Sequence, residues 1–364
     1  MVLNKSNRVL LVGPNPDFIT GQSVAFKYLI DASKNRSDYV RICFNSSGNS
    51  FIDKIIGFIF YFFKLIYLFI GFRPATVYLT NSRTKLGLLR DVCVFSLAKL
   101  FSSKVIVHLH GSEFKTFIKT LPNKWRKLAN WGYSQVNTGV VLSSSMSAQF
   151  DIYEHIDVVV IENCFSPELI EFKCNKISGP LKVLFLSNLM HTKGIIELIE
   201  AVKEINLPSK VVELKIAGSY LADGSYSKQN IKSKVESLLD DNIEYYGVVR
   251  GSDKNKLLNW CNIVALPSYY PTEAQPIVLI EGLAAGRYLL TSTAGYISEF
   301  VKHLEHGFVL DNVSANEITK ALKYLLANHE HIEKISQENL NYAVQRFSQQ
   351  GYVNKVFEII GVNI

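Results

Sequence analysis

A chain of 364 residues is too long for one ordinary hydrophobic core, which predicts two domains of roughly 150 to 200 residues each. Its five cysteines are scattered and lack a Cys-x-x-Cys pair, which argues against a disulfide framework or a zinc cluster and indicates a reducing cytoplasm. The net charge of +7 is uneven: residues 1–165 carry 19 Lys and Arg against 10 Asp and Glu, a net +9, which indicates an anionic partner unless the charge is merely dispersed and solvated.

The first half of the chain alternates short apolar runs with stretches of helical spacing. No secretory signal is expected, because the chain enters the first apolar run after a short polar lead. Strands are predicted at residues 8–12, 40–44, 76–80, 104–108, 139–142 and 158–161. This alternation is typical of a parallel, doubly wound α/β domain.

The most apolar segment, Ile55–Phe72, lies between the second and third predicted strands. It is just long enough to span a membrane, but Lys64 lies at its centre and the alternation needs a crossover helix there. Three interpretations stay open: a transmembrane helix, a buried crossover helix and a helix at the membrane interface. Residues 115–131 interleave cations with Phe and Trp, which suits lipid headgroups and phosphates. They would also suit single-stranded nucleic acid, but nothing else in the chain resembles a nucleic-acid module.

The alternation breaks between residues 163 and 180, where we predict a domain boundary. Strands resume at residues 183–186, 214–217, 243–246, 263–266, 288–291 and 308–310, and helical stretches from 315 to 360 close the chain. Open α/β sheets bind ligands at the carboxyl ends of their strands, so two such domains facing each other across a cleft would share one site.

Candidate site residues in the first domain follow its first and fourth strands. The loop after the first strand leads to Gly21 and a helix, where a phosphate or sugar can approach the backbone, although by itself it is better explained as a simple turn. It lacks Gly-x-Gly-x-x-Gly, which disfavours dinucleotide binding. His110 follows the fourth strand, and the neighbouring Gly111 and Glu113 favour a functional histidine there, with His108 as the alternative.

In the second domain, a lysine and two carboxylates predict an anionic ligand. Lys193 stands near a helix start, where the helix dipole disfavours a cation, so a phosphate partner explains it better. Glu273 and Glu281 are eight positions apart, and Glu281 falls in an otherwise apolar helix, where a charge is costly unless hydrogen-bonded. Pro276 suits the first turn of that helix, which leaves the N–H groups of residues 274–277 as a partly positive place for an anion.

A vicinal diol such as a ribose would satisfy Glu281. A sugar, a diphosphate and a ribose in a row then predict a sugar nucleotide as the ligand. The alternative interpretation is a carboxylate favoured by the helix dipole together with a buried Glu paired with a Lys.

The spacing of Glu273 and Glu281, the strand, loop and helix order around them and the helix end at residues 284–286 resemble the retaining family 4 glycosyltransferases of the GT-B fold. The resemblance runs over nearly the whole chain and is strongest between residues 181 and 308. It implies an α/β fold with two Rossmann-like, doubly wound parallel-sheet domains facing across a cleft. Residues 1–165 would bind the acceptor, residues 166–345 the nucleotide sugar, and residues 346–364 would form a helix that returns to the first domain.

The resemblance also implies roles for individual residues. Lys193 matches a lysine that clamps the diphosphate, whereas Asn188 stands where the family usually has arginine. Glu273 and His110 match positions at the donor sugar, and Glu281 matches the residue at the ribose.

Other positions would contribute mainly through the backbone. Gly21 belongs to a shortened form of the family's glycine-rich acceptor-side loop. The family's Gly-Phe-Gly after the first glutamate is replaced here, which keeps the backbone donors and leaves the sugar unidentified. The remaining nucleotide-binding candidates are Ala274, Gln275, Pro276, Ile277, Gly218, Gly247 and Val248.

Together with these features, the resemblance implies a retaining, metal-independent glycosyltransferase that moves a hexose-type sugar from a nucleotide-diphosphate sugar to an acceptor. Neither an Asp-x-Asp motif nor a His and carboxylate cluster with metal spacing occurs, so no metal or other cofactor is expected. The expected acceptor is a lipid-linked glycan or oligosaccharide at the cytoplasmic face of an anionic membrane, as in polysaccharide or lipopolysaccharide assembly, and no nucleic acid is expected. The alternatives are a sugar-nucleotide epimerase or hydrolase on the same fold, and a catalytically silent sugar-nucleotide-binding subunit, which the asparagine at position 188 favours.

Overall fold

The computed structural model describes residues 8–17, 21–44, 51–171, 176–224 and 226–361. The chain divides into two compact units. The first comprises residues 1–163 and 350–364, and the second comprises residues 164–349. Within the described ranges, the cysteines at positions 43, 93, 164 and 261 are free thiols, and Cys174 lies outside those ranges.

The first unit is built on a parallel sheet of six strands within the described residues. Its strands are β1 (Val9–Pro14), β2 (Tyr39–Phe44), β3 (Thr76–Thr80), β4 (Lys104–His108), β5 (Thr138–Val141) and β6 (Asp157–Val160). They are ordered β2-β1-β3-β4-β5-β6, which confirms the predicted α/β doubly wound sheet. The inner strands read as apolar runs because helices cover both faces of such a sheet.

Helices connect these strands, and the last helix of the chain packs on the same unit. They are α1 (Gly21–Ser33), α2 (Phe51–Phe72), α3 (Lys85–Leu100), α4 (Phe114–Thr120), α5 (Asn123–Tyr133) and α12 (Gln349–Ile360). On α12, the Phe357 ring lies 5.3 Å from the Tyr39 ring, and the Ile359 carbonyl accepts a hydrogen bond of 3.1 Å from Lys104.

Helix α2 is a crossover between β2 and β3, but the interpretation that it is buried is wrong. Of the eighteen residues Ile55–Phe72, which by length and composition could cross a membrane, 11% are buried, namely Leu65 and Phe69. The periodicity gave no sign of this because α2 is apolar on all sides, a pattern that normally marks a buried helix.

The second unit holds a second parallel sheet of six strands, again counted over the described residues. Its strands are β7 (Leu181–Leu186), β8 (Val212–Ala217), β9 (Ile243–Tyr245), β10 (Ile263–Leu266), β11 (Tyr288–Ser292) and β12 (Gly307–Leu310). Its helices are α6 (Ile195–Ile205), α7 (Lys228–Glu236), α8 (Gly251–Trp260), α9 (Ile277–Ala284), α10 (Ala315–Ala327) and α11 (His329–Arg346).

Strand order decides where each sheet offers a binding site. The second sheet runs β12-β11-β10-β7-β8-β9. Strands β8 and β9 are added on one side of β7 and β10 to β12 on the other, so the strand order reverses between β7 and β10. In the first sheet the reversal falls between β1 and β3. Loops leave such a pair of strands in opposite directions and open a crevice at the carboxyl ends of the strands, where α/β sheets bind their ligands.

Candidate functional site

Lys193 and Glu273 meet at the switch point of the second sheet. Lys193 ends a short 3-10 turn after β7, and Glu273 follows β10. The Lys193 Nζ lies 2.5 Å from the Glu273 Oε2 in a largely buried ion pair. Gly194 allows this approach, because its φ is +74° and a Cβ there would lie 2.0 Å from the Pro267 carbonyl oxygen.

Three turns hold the Glu273 side chain and backbone. The Ser268 hydroxyl donates to the carboxylate at 2.8 Å, and the Lys193 ammonium lies 5.0 Å from the Tyr270 ring centroid. After β11, Gly295 has a φ of +56°, and a Cβ there would lie 1.9 Å from the Glu273 carbonyl oxygen. The carboxylate therefore has a fixed position at the crevice between β7 and β10.

Asp223 fixes the turn that carries Lys193. It accepts hydrogen bonds from the Thr192 backbone N–H at 2.6 Å and from the Thr192 hydroxyl at 2.8 Å. Beside it, the His191 ring stacks on Tyr226 with centroids 4.2 Å apart. Sequence reasoning missed Asp223, and no sequence signal would have found it, since it lies 31 residues away in an irregular segment.

Glu281 is buried in α9, with 4% of its surface exposed. Its Oε1 lies 2.5 Å from the Nζ of Lys254, which comes from α8 and which sequence reasoning did not identify. This pair corresponds to the alternative interpretation, a buried Glu paired with a Lys. A ribose diol would therefore have to share the carboxylate with Lys254, and the ribose role stays a prediction.

The start of α9 lies one residue later than predicted. Pro276 is the N-cap residue, with φ −61° and ψ 117°, and the helix begins at Ile277 rather than including the proline in its first turn. Ala274 and Gln275 are buried between Glu273 and the helix. The N–H groups at this end of α9 still carry the positive end of the helix dipole.

The turns after β8 and β9 lie at the same edge of the sheet. Gly218 has a φ of +147°, and a Cβ there would lie 1.8 Å from the Ser187 carbonyl oxygen, so a glycine is needed where the turn after β8 touches the turn after β7. The Gly218 N–H donates to the Gly247 carbonyl at 2.8 Å. Asn188 is exposed and its amide oxygen accepts from the Ser219 hydroxyl at 3.0 Å, while Val248 is exposed next to Gly247.

In the first unit, His108 and His110 stack with ring centroids 4.0 Å apart. His108 is fully buried and hydrogen-bonds the Tyr78 hydroxyl, a structural arrangement. His110 is partly exposed, but its ring nitrogens are buried, and burial lowers its pKa to about 3. The neighbouring Asn163 side chain opposes this fall in pKa, and the positive charge of Arg83 adds to it.

Arg83 occupies the space that the glycine after His110 leaves. A Cβ on Gly111 would lie 2.3 Å from the Arg83 Nη1, so the guanidinium group rests on the Gly111 backbone. Arg83 also forms a loose ion pair of 3.7 Å with Glu113. Gly111 therefore allows the Arg83 side chain to approach the backbone closely. Gly21 begins α1, and residues 18–20 of the loop before it lie outside the described residues.

The candidates thus come from both units. Lys193, Glu273 and the start of α9 lie together, and Glu281 lies further along that helix. His110 and Gly21 belong to the first unit. No group of three or more His, Cys, Asp or Glu residues that could hold a metal ion is found in the described part of the chain.

Comparison with known proteins identifies the second unit. Residues 167–342 match the family described as glycosyl transferases group 1. An uncharacterized glycosyltransferase of Methanocaldococcus jannaschii is 35% identical over 130 residues, which is 34% of this chain but 30% of that relative. Sucrose-phosphate synthase from Thermosynechococcus elongatus superposes with a TM-score of 0.76 at 13% identity, over 97% of this chain and 98% of that one. HepE of Anabaena, solved in complex with UDP-glucose, has a TM-score of 0.71 at 16% identity, over 97% and 99%. The fold is that of the GT-B glycosyltransferases, and residues 167–342, which make up most of the second unit, are similar to the glycosyl transferases of group 1.

Proposed function

We propose that this protein is a retaining glycosyltransferase that takes a sugar from a nucleotide-diphosphate donor. The observation that carries the proposal is the Lys193–Glu273 pair at the switch point between β7 and β10, next to the start of α9. The group 1 family match supports it, as does the fold shared with HepE, which binds UDP-glucose.

The donor is assigned by charge and position. The diphosphate lies at Lys193 and the backbone N–H groups of residues 274–277, the ribose at Glu281 and the transferred sugar at Glu273. Because Lys193 is already paired with Glu273, that pair carries no net charge, and Asn188 replaces a possible second cation. The N-terminus of α9 must therefore stabilise more of the phosphate charge than it would in a site with two cations.

These residues act mainly by electrostatic stabilisation of the leaving group. Departure of the nucleoside diphosphate places negative charge on the oxygen that leaves, and fixed N–H groups and Lys193 stabilise it without reorganising. His110, with its pKa lowered to about 3, is neutral at pH 7 and acts as a hydrogen-bond partner for the sugar. Neither Glu273 nor His110 is proposed as a nucleophile. The reaction is proposed to need no metal ion.

The acceptor is proposed to bind the first unit. Residues 1–165 carry a net charge of +9, which attracts a phosphate-bearing acceptor or an anionic membrane surface. A lipid-linked glycan or oligosaccharide at the cytoplasmic face of a membrane meets both requirements. The reaction would then belong to cell-surface polysaccharide or lipopolysaccharide assembly.

Binding followed by product analysis tests the proposal. Thermal shifts with UDP, GDP, ADP and their sugars identify the donor, and anomeric NMR of the product with an acceptor reports the stereochemistry. The expected result is transfer with retention of the anomeric configuration. Conversion of the donor without an acceptor would indicate an epimerase or hydrolase, and binding without any turnover would indicate a silent subunit.

A further inference from the structure

Helix α2 has one apolar face on the protein and another in solvent. Leu65 and Phe69 are buried, whereas seven large hydrophobic residues on the other side are 45% to 74% exposed. At about 100° per residue these seven fall within an arc of about 140°. The members of this outer face are Ile55, Ile56, Ile59, Phe60, Phe63, Tyr67 and Ile70. Soluble proteins rarely expose a continuous apolar strip of this kind unless it contacts something else.

Topology excludes a spanning arrangement for α2. The helix joins β2 to β3, and both strands hydrogen-bond to β1 in one sheet. A helix crossing a hydrocarbon layer about 30 Å thick would put its two ends on opposite sides of that layer. The buried Leu65 and Phe69 also attach the C-terminal half of the helix to the unit. Only the outer face is therefore available to a partner.

The charges around α2 match a lipid surface. Between Ile55 and Phe72 the sequence has no Asp or Glu, and its one charged residue, Lys64, is exposed at the edge of the outer face, where a long side chain reaches headgroups. The C-terminal end of α2 adjoins that of α3, because the Phe69 and Phe101 rings lie 5.5 Å apart. There Lys99 lies 5.8 Å from the exposed Trp131 ring. Trp is enriched at membrane–water interfaces, and a Lys side chain there reaches the lipid headgroups.

We infer that α2 lies in the plane of a membrane with its outer face in the acyl chains, and that this helix docks the enzyme on the lipid surface that carries its acceptor. The inference rests on the proposed membrane-linked acceptor and names the surface that holds it. Attraction to anionic headgroups falls with salt, but burial of apolar side chains does not. The helix therefore supplies a salt-resistant part of the binding.

The test compares two triple variants on vesicles of phosphatidylcholine and phosphatidylglycerol. One replaces Phe60, Phe63 and Tyr67 by Gln on the outer face. The control replaces Ile170, Leu207 and Val344 by Gln, which are exposed apolar residues of the second unit. We expect the wild-type and the control to stay partly bound at about 1 M NaCl, where the Debye length is about 3 Å. The outer-face variant should partition at least about 100-fold less, since removing each large side chain from lipid weakens partitioning by about tenfold.

Three outcomes would overturn the inference. They are complete release of the wild-type by salt, unchanged binding of the outer-face variant, or a wild-type dimer in solution that this variant converts to monomers, which would make a second copy the occupant. Nucleotide binding by the same variants, measured without vesicles, keeps this test separate from the proposed function. Loss of lipid binding with intact nucleotide binding is the expected combination.

Discussion

Replacing Glu281 by Gln should weaken the binding of nucleoside diphosphates while keeping the fold. The side chain is 6% exposed and, among the described residues, forms an ion pair with Lys254, whose side chain is 26% exposed. After the substitution, the Lys254 ammonium can turn to water, so no buried charge is left without a partner. The variant therefore tests the ligand contact with limited damage to the protein.

The magnitude follows from the bond that is lost. A hydrogen bond to a charged group contributes about 1.5 to 3 kcal/mol. Loss of one such bond between the ribose and the Glu281 carboxylate corresponds to a rise in Kd of about 10- to 150-fold. Loss of stability should not exceed the same range, because the Lys254 bond is the one broken in the protein.

Calorimetry with two ligands separates the ribose role from a general effect. The nucleoside diphosphate that binds the wild-type is compared with its 2′,3′-dideoxy analogue, which lacks the diol. The wild-type should favour the diol-bearing ligand, and the Glu281→Gln variant should bind the two almost equally. In this cycle the interaction energy belongs to the carboxylate and the diol.

The ribose assignment is refuted if a folded Glu281→Gln variant keeps the wild-type preference for the diol. Lys254→Met provides the contrasting variant, because it leaves a buried carboxylate unpaired. It should lower the free energy of unfolding by about 3 to 5 kcal/mol, more than Glu281→Gln does. If the two variants lose equal stability, Glu281 is not as buried as the structure places it.

Further predictions concern neighbouring residues and conditions. Lys193→Met should weaken nucleoside diphosphate binding more than nucleoside binding, because its partner is phosphate; equal losses by calorimetry would make Lys193 structural. Gly295→Ala should destabilise the protein by at least about 1 to 3 kcal/mol and more than Gly179→Ala, since both have positive φ but only Gly295 faces a backbone oxygen; equal melting shifts would contradict this. Because the pKa of His110 falls to about 3 from about 6.5 in the unfolded chain, stability should decrease as pH drops below about 6.5, by up to about 1.4 kcal/mol per pH unit, and His110→Asn should reduce that slope in urea unfolding. An unchanged dependence of stability on pH would mean that the His110 ring is solvated in the folded protein. Turnover should survive EDTA, and a strict need for Mg²⁺ or Mn²⁺ would contradict the metal-independent proposal.

Much of the fold could be predicted from local sequence patterns. The sequence prediction found all twelve described strands, with ends within two residues, because buried parallel strands are continuous apolar runs between polar turns. The candidates Lys193 and Glu273 were also found locally, since each follows a strand at the edge where α/β sheets bind ligands. Their mutual contact was not evident, because they are 80 positions apart.

The residues that sequence reasoning missed act through tertiary contacts. Lys254 lies in a helix with no motif, and nothing in the sequence pairs it with Glu281. Asp223 and Arg83 are ordinary polar residues until the fold places them against Thr192 and Gly111. Side-chain partners depend on which turns come together, and that depends on strand order, which periodicity does not encode.

The sequence by itself determined that this chain has two parallel α/β units and that Lys193, Glu273 and Glu281 are candidates for a sugar-nucleotide site, because strand periodicity, turn position and residue spacing are local properties. Only the tertiary structure decided which charges are paired and which side of α2 meets solvent. Exposure depends on what packs against a helix, and an all-apolar helix such as α2 has the same sequence pattern whether one face or both are covered.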